Sequence, residues 1–279
     1  MTCAATITDS TRRFPGAVLS SSPAATLPRR DRVVILAGII LITVLAWAYL
    51  VHLGRAMPSG MEYDKAMAAM GMVTHSAWSA TDIFYAFSMW VVMMLAMMVP
   101  SAAPVLLLFA AAQSRRGTPL ATSLATFMLG LGYIAVWTGF SAGAALVQWM
   151  LHQTAMLSAA MAASSPRLAG AILIGAGIYQ VTPWKGTCLT HCRSPLGFML
   201  SSWRDGKLGA LQMGFRHGTY CLGCCWALMC VLFAVGVMNL AWVAALTVFV
   251  LLEKTGPHGV AVARIAGFAL IVVGIVTAA

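Results

Sequence analysis

Residues 214–230 read GFRHGTYCLGCCWALMC, which combines the hydropathy of a membrane helix with an unusual number of metal-binding side chains. At helical spacing, His217, Cys221 and Cys225 follow one another in steps of four, so their side chains share one face. Cys224 lies beside that line. A single cysteine could be explained as a small packing residue. Several thiols beside an imidazole instead indicate a site for a soft metal, of the kind that suits Cu(I), zinc or an iron–sulfur cluster.

The composition of the chain indicates a polytopic membrane protein. Its 279 residues are 61% hydrophobic and only 9% charged, with a mean hydropathy of +0.87, whereas a soluble domain has about 25% charged residues. The net charge of +10 does not indicate nucleic-acid binding, because the basic residues fall in short connections between apolar runs. We therefore expect the lipid bilayer, and no nucleic acid, as a partner.

The apolar runs predict an all-α bundle of about seven membrane-spanning helices. Residues 1–32 are polar and basic and predict a disordered cytosolic tail, and residues 33–279 predict a transmembrane helical metal-binding domain. The distribution of Lys and Arg favours a bacterial inner membrane protein with a cytosolic N-terminus. The predicted spans are 33–53, 82–109, 120–151, 168–184, 210–238, 242–252 and 260 to the C-terminus.

This orientation brings soft ligands from distant segments to the cytosolic leaflet. Cys188, His191 and Cys192 share one face if a helix continues past Pro183. The second span runs toward the same side with its methionines, although methionine also fills irregular cores. Because adjacent cysteines point in different directions, we expect one of the Cys224/Cys225 pair to be a ligand. The candidate metal ligands are Cys188, His191, Cys192, His217, Cys221, Cys224, Cys225, Met94, Met97 and Met98.

The remaining charged and helix-breaking residues have simpler interpretations. Lys185 and Arg193 are expected to be positive anchors at the membrane surface. Glu253 and Lys254 are adjacent, and we expect an ion pair or a helix-end feature there. Pro183 is expected to end or kink the fourth span. A polar segment over 54–81 is expected to lie partly as an amphipathic helix on the outer surface.

The sequence resembles the DUF2182 family of predicted metal-binding integral membrane proteins, whose members are sometimes labelled copper chaperones. The resemblance covers about residues 80–279 and implies copper as the metal. It is carried by MWVVMMLAMMVPS (89–101), YQVTPWK (179–185), CLTHCRSP (188–195), HGTYCLGCCWALM (217–229), GVMNL (236–240) and EKTGPHG (253–259).

Copper handling is the function that these observations predict. The chain would hold Cu(I), with zinc or iron as other possible metals, and would deliver or transport copper with a cuproenzyme or a soluble copper carrier as partner. The sequence contains no nucleotide-binding motif, and we expect no enzymatic activity. A thiol–disulfide oxidoreductase, a haem or iron–sulfur electron carrier, and a structural membrane subunit are the alternatives.

Overall fold

A computed structural model describes residues 27–69, 78–157 and 161–279, with the backbone alone for 56–69. Residues 1–26 of the predicted tail lie outside the described residues, as does part of the predicted amphipathic segment. The first helix begins at Arg29, so residues 29–32 are helical and do not belong to a disordered tail. The described residues form α-helices and no strand, which confirms the all-α prediction. The helices are α1 (Arg29–Ala69), α2 (Ala80–Ser114), α3 (Pro119–Gln153), α4 (Pro166–Val181), α5 (Pro183–Arg193), α6 (Pro195–Ser202), α7 (Gly206–Val235), α8 (Leu240–Thr255) and α9 (Gly259–Ala278).

Five of the described helices are long and apolar enough to cross a membrane, namely α1 over Arg29–Arg55, α2, α3, α7 and α9. Helices α4 and α8 have 16 residues each. Their length is about 24 Å, which is shorter than the hydrocarbon core of a bilayer. Each of the seven predicted spans corresponds to one of these helices. A helical bundle with several membrane-spanning helices is thus confirmed.

The predicted break at Pro183 separates α4 from α5. Thr182 ends α4 in an extended conformation, and its side chain accepts a hydrogen bond from the backbone N–H of Lys185 at the start of α5. Proline is favoured at the first position of a helix because it has no N–H to leave unpaired. The connection between the predicted spans 168–184 and 210–238 consists largely of the two short helices α5 and α6.

Close glycine contacts position the long helices. In the antiparallel pair α4 and α9, a Cβ on Gly170 or Gly177 would lie 2.6 Å from the carbonyl oxygen of Gly274 or Gly267, respectively. Small residues let membrane helices approach closely enough for strong van der Waals packing. These contacts leave α4 and α9 little freedom to slide past each other.

Helices α3 and α7 run parallel and also meet at glycines. A Cβ on Gly214 would collide with the carbonyl oxygen of Leu129, and one on Gly218 would lie 2.9 Å from Cγ2 of Val136. This approach sets the register between the two helices. It places Tyr133 of α3 beside Cys221 of α7.

Candidate metal site

Five of the predicted ligands, four cysteines and one methionine, come together in the core of the bundle. Cys221, Cys224 and Cys225 of α7 are each 1% exposed. Cys192 of α5 is half-buried, and its Sγ lies 3.9 Å from Sγ of Cys224. We call these four cysteines together with Met98 of α2 the sulfur cluster. All four cysteines are free thiols.

The adjacent thiols of Cys224 and Cys225 face different helices. Sγ of Cys225 lies 4.0 Å from Sδ of Met98 on α2, whereas Cys224 faces Cys192 on α5. Both thiols donate to the carbonyl oxygen of Cys221, at 3.0 Å from Cys224 and 2.8 Å from Cys225. Consecutive helical residues point about 100° apart, so α7 can reach a sulfur atom on either side.

Two residues that the sequence interpretation missed surround Cys221. The hydroxyl of Tyr133 lies 3.0 Å from Sγ of Cys221 and donates to the carbonyl oxygen of Met98 at 3.0 Å. The ammonium of Lys254 donates to Sγ of Cys221 at 2.9 Å and to Oγ of Ser101 at 3.1 Å. The two charged residues Glu253 and Lys254, side by side at the end of a helix that is apolar over most of its length, were the signal that could have drawn attention to Lys254.

His217 is 4% exposed and lies one turn before Cys221. Its ring stacks on Tyr133, with centroids 5.7 Å apart, and packs against Phe198 at 5.2 Å. Among the described residues, its Nδ1 is buried without a hydrogen-bond partner. Because buried polar atoms are nearly always partnered, this nitrogen fits a role as a metal ligand or as a partner to a bound ligand.

The other predicted ligands lie around the cluster rather than in it. The ring of His191 stacks on Tyr220 with centroids 4.7 Å apart, and its Nδ1 lies 2.9 Å from the carbonyl oxygen of Thr187. Cys188 is buried and disulfide-bonded, so its sulfur could serve as a thiolate ligand only after reduction. Met94 and Met97 are buried in the surrounding hydrophobic core.

A buried ion pair lies next to the cluster, and it overturns two of the simpler interpretations. Lys185 and Glu253 are each 1% exposed, and Nζ of Lys185 lies 2.8 Å from Oε1 of Glu253. Gln180 donates to the same carboxylate at 3.1 Å and accepts from Lys185. Lys185 is therefore not a surface anchor. Glu253 pairs with Lys185 and not with Lys254, because adjacent helical residues do not face each other. Both residues lie at the end of α8, as the alternative of a helix-end feature expects.

Arg193 also differs from its expected role as a surface anchor. Its guanidinium donates to the backbone carbonyl oxygens of Glu253, Gly256 and Pro257 at the end of α8. A cation at this position satisfies carbonyl groups that have no partner within the helix and complements the helix dipole. Arg193 follows Cys192 directly, so it fixes the end of α5 to the end of α8.

The cluster consists of pairwise approaches between sulfur atoms. In the parts of the chain that the structure describes, no group of three or more His, Cys, Asp and Glu side chains is arranged to hold a metal ion. Methionine is not one of these four residue types, so this statement does not cover the thioether of Met98. The arrangement supplies soft ligands in pairs, Cys192 with Cys224 and Cys225 with Met98, and soft sulfur ligands are those that suit Cu(I).

The chain matches a known protein family. The model of the family PpoB2, described as a copper chaperone, matches residues 87–277, which include the whole sulfur cluster. The match confirms the resemblance expected from the sequence. No curated protein and no solved structure matches the chain.

Proposed function

The chain belongs to the PpoB2 family of copper chaperones, and from this premise we propose that it binds Cu(I) at the sulfur cluster and passes it to a protein acceptor. Its place would be the bacterial inner membrane, with the N-terminus in the cytosol. The acceptor would be a cuproenzyme or a soluble copper carrier.

The sulfur–sulfur distances are the observation that carries this proposal. Sγ of Cys192 lies 3.9 Å from Sγ of Cys224, and Sγ of Cys225 lies 4.0 Å from Sδ of Met98. Two sulfur atoms that each lie about 2.3 Å from one metal, at tetrahedral to trigonal angles, are about 3.8 to 4.0 Å apart. Each pair could therefore share a metal with little movement of the helices.

The charges around the cluster favour a monovalent metal held by two thiolates. Such a centre carries one net negative charge, which is costly to bury unless it is compensated. The ammonium of Lys254, 2.9 Å from Sγ of Cys221, supplies the compensating positive charge. His217, one turn before Cys221 on α7, offers a nitrogen ligand that would add no negative charge to the centre.

The position of Cys192 supports transfer to an acceptor. It is half-buried, whereas Cys221, Cys224 and Cys225 are buried. An incoming thiolate would reach the metal beside Cys192 first. Cu(I) tolerates exchange among soft ligands and changes of coordination number, so a ligand at the edge of the cluster suits stepwise release.

Metal analysis of the purified full-length chain tests the proposal. Protein from copper-supplemented cells is compared as wild type, Cys221→Ser and Cys224→Ser, with Cys230→Ser as the matched control. Cys230 is a free, half-buried thiol on the same helix. Wild type and control should carry copper in equal amounts, and both cluster variants should lose most of it. A wild type without metal above background would exclude the proposal.

The short distance between Cys192 and Cys224 also supports a second candidate, a thiol–disulfide exchange function. Thiols 3.9 Å apart can form a disulfide after a small shift of α5, since a disulfide needs about 2.05 Å. Thiol counting on the purified protein before and after mild oxidation distinguishes this candidate. A reversible loss of two thiols that needs Cys192, in a protein that holds no copper, would favour it.

A further inference from the structure

A cavity lies at the start of α2, which is the end of this helix away from the cytosol in the proposed orientation. It has a volume of about 300 Å³ and is lined by residues of α1, α2 and α3 and of the α1–α2 and α3–α4 connections. We call it the methionine pocket, because Met89 and Met161 both line it. Its polar lining residues include Asp82 and Gln148.

The thioether of Met161 is held in this pocket by its surroundings. Gln148 is fully buried, accepts a hydrogen bond from the indole of Trp90 at 2.6 Å and donates to Sδ of Met161 at 3.2 Å. The backbone carbonyl of Met161 accepts from the N–H of Val237 at 3.2 Å. Its φ of +54° is uncommon outside glycine and persists only where neighbours enforce it.

A carboxylate stands at the same pocket. Asp82 is fixed by Ser79, whose hydroxyl and backbone N–H donate to its Oδ2 at 2.7 and 2.8 Å. A fixed carboxylate attracts a cation, and the neighbouring thioethers are soft ligands that prefer Cu(I). The pocket thus combines negative charge with sulfur.

The methionines of α2 connect this pocket to the sulfur cluster. Met89, Met93 and Met97 follow one another in steps of four, and Met94 and Met98 form the neighbouring line. Side chains four residues apart on a helix are about 5–6 Å apart at Cβ. All five are at most 4% exposed, and Met98 reaches Cys225. The distance along α2 from Met89 to Met98 is about 14 Å.

We propose that the methionine pocket captures Cu(I) and that the buried methionines of α2 pass it to the sulfur cluster. The end point of this path rests on the proposed function. Neutral thioethers hold Cu(I) less tightly than thiolates do, so copper moves toward the cysteines without an energy source. The buried methionines offer sulfur ligands at each step, where the apolar core would otherwise exclude a cation.

The rate of copper loading, measured from each side of the membrane, tests this path. Right-side-out and inverted vesicles that carry the full-length chain receive Cu(I) as its acetonitrile complex. Samples are quenched with bathocuproine disulfonate, and copper per purified chain is followed with time. The variant is Met89→Leu/Met161→Leu, and Met199→Leu, a buried methionine on α6, is the control. Leucine conserves volume, so folding should be preserved.

The double variant should load about tenfold more slowly or worse. Loss of one supporting residue typically weakens metal binding by about 10- to 100-fold, and a capture site that is occupied less often passes copper on more slowly. The slowing should occur only in the vesicles that expose the methionine pocket, and the final copper content should equal that of wild type. Wild-type rates for the double variant in both vesicle types, or equal slowing in the control, would overturn the path while leaving the copper-binding cluster intact. A wild type that loads no copper in either vesicle type would overturn both proposals.

Discussion

The ammonium of Lys254 on α8 lies 2.9 Å from Sγ of Cys221 on α7, 33 positions away in the chain. The same ammonium lies 3.9 Å from Sδ of Met98, so one cation contacts two members of the sulfur cluster. Its neighbour Glu253 is paired with Lys185. Lys254 is therefore available to balance the negative charge of thiolates when a metal is bound.

Replacing Lys254 by methionine should weaken Cu(I) binding by about 10- to 100-fold, the usual effect of removing a residue that supports a metal site. The fold should persist, because methionine has a similar length and no charge to bury. Competition against a chromophoric Cu(I) chelator measures the change. Lys207→Met, on the exposed first turn of α7, is the control and should bind as wild type does. Unchanged affinity in Lys254→Met would show that its charge does not support the site.

Breaking the Lys185–Glu253 pair should destabilise the protein. Removing one partner of a buried pair leaves an unpaired charge and costs about 3–5 kcal/mol. We expect Lys185→Met and Glu253→Leu each to lower the free energy of unfolding, and the double variant to regain much of the loss. Denaturant unfolding in detergent micelles measures this cycle. Additive losses in the double variant would contradict a direct coupling.

Replacing His217 by phenylalanine should lower copper affinity while leaving stability nearly unchanged. The imidazole packs between Tyr133 and Phe198, and a phenyl ring can fill the same space. The substitution removes the buried Nδ1, which has no hydrogen-bond partner among the described residues. Chelator competition and thermal unfolding, measured on one preparation, separate the two effects. A loss of stability without a change in affinity would assign His217 a packing role alone.

Adding a methyl group at the α3–α7 contact should loosen the site. A Cβ on Gly214 collides with the backbone of Leu129, and overpacking of this kind costs about 1–3 kcal/mol. Gly214→Ala should therefore unfold earlier and bind copper more weakly, because the contact sets the distance between Tyr133 and Cys221. Gly139→Ala on α3 is the control, since no atom lies within 4 Å of its added Cβ. The control should be neutral or slightly stabilising, as alanine favours helix.

The sequence by itself determined the helices and one face of the site. Hydropathy located seven apolar segments, each of which is a helix, and five of these helices are long and apolar enough to cross a bilayer, which takes about 20 residues. Helical periodicity placed His217, Cys221 and Cys225 on one line, and Pro183 marked the break before α5. These features depend only on residues that are close together in the chain, so the sequence of one segment is enough to specify them.

Only the tertiary structure decided which side chains from different helices meet. The contacts of Cys221 with Lys254 and Tyr133, of Cys225 with Met98, and of Lys185 with Glu253 join residues on separate helices. Such contacts depend on how each helix is rotated and how closely it approaches its neighbour. Glycine contacts such as Gly214 against Leu129 set that approach, and the periodicity of one helix carries no information about the rotation of another.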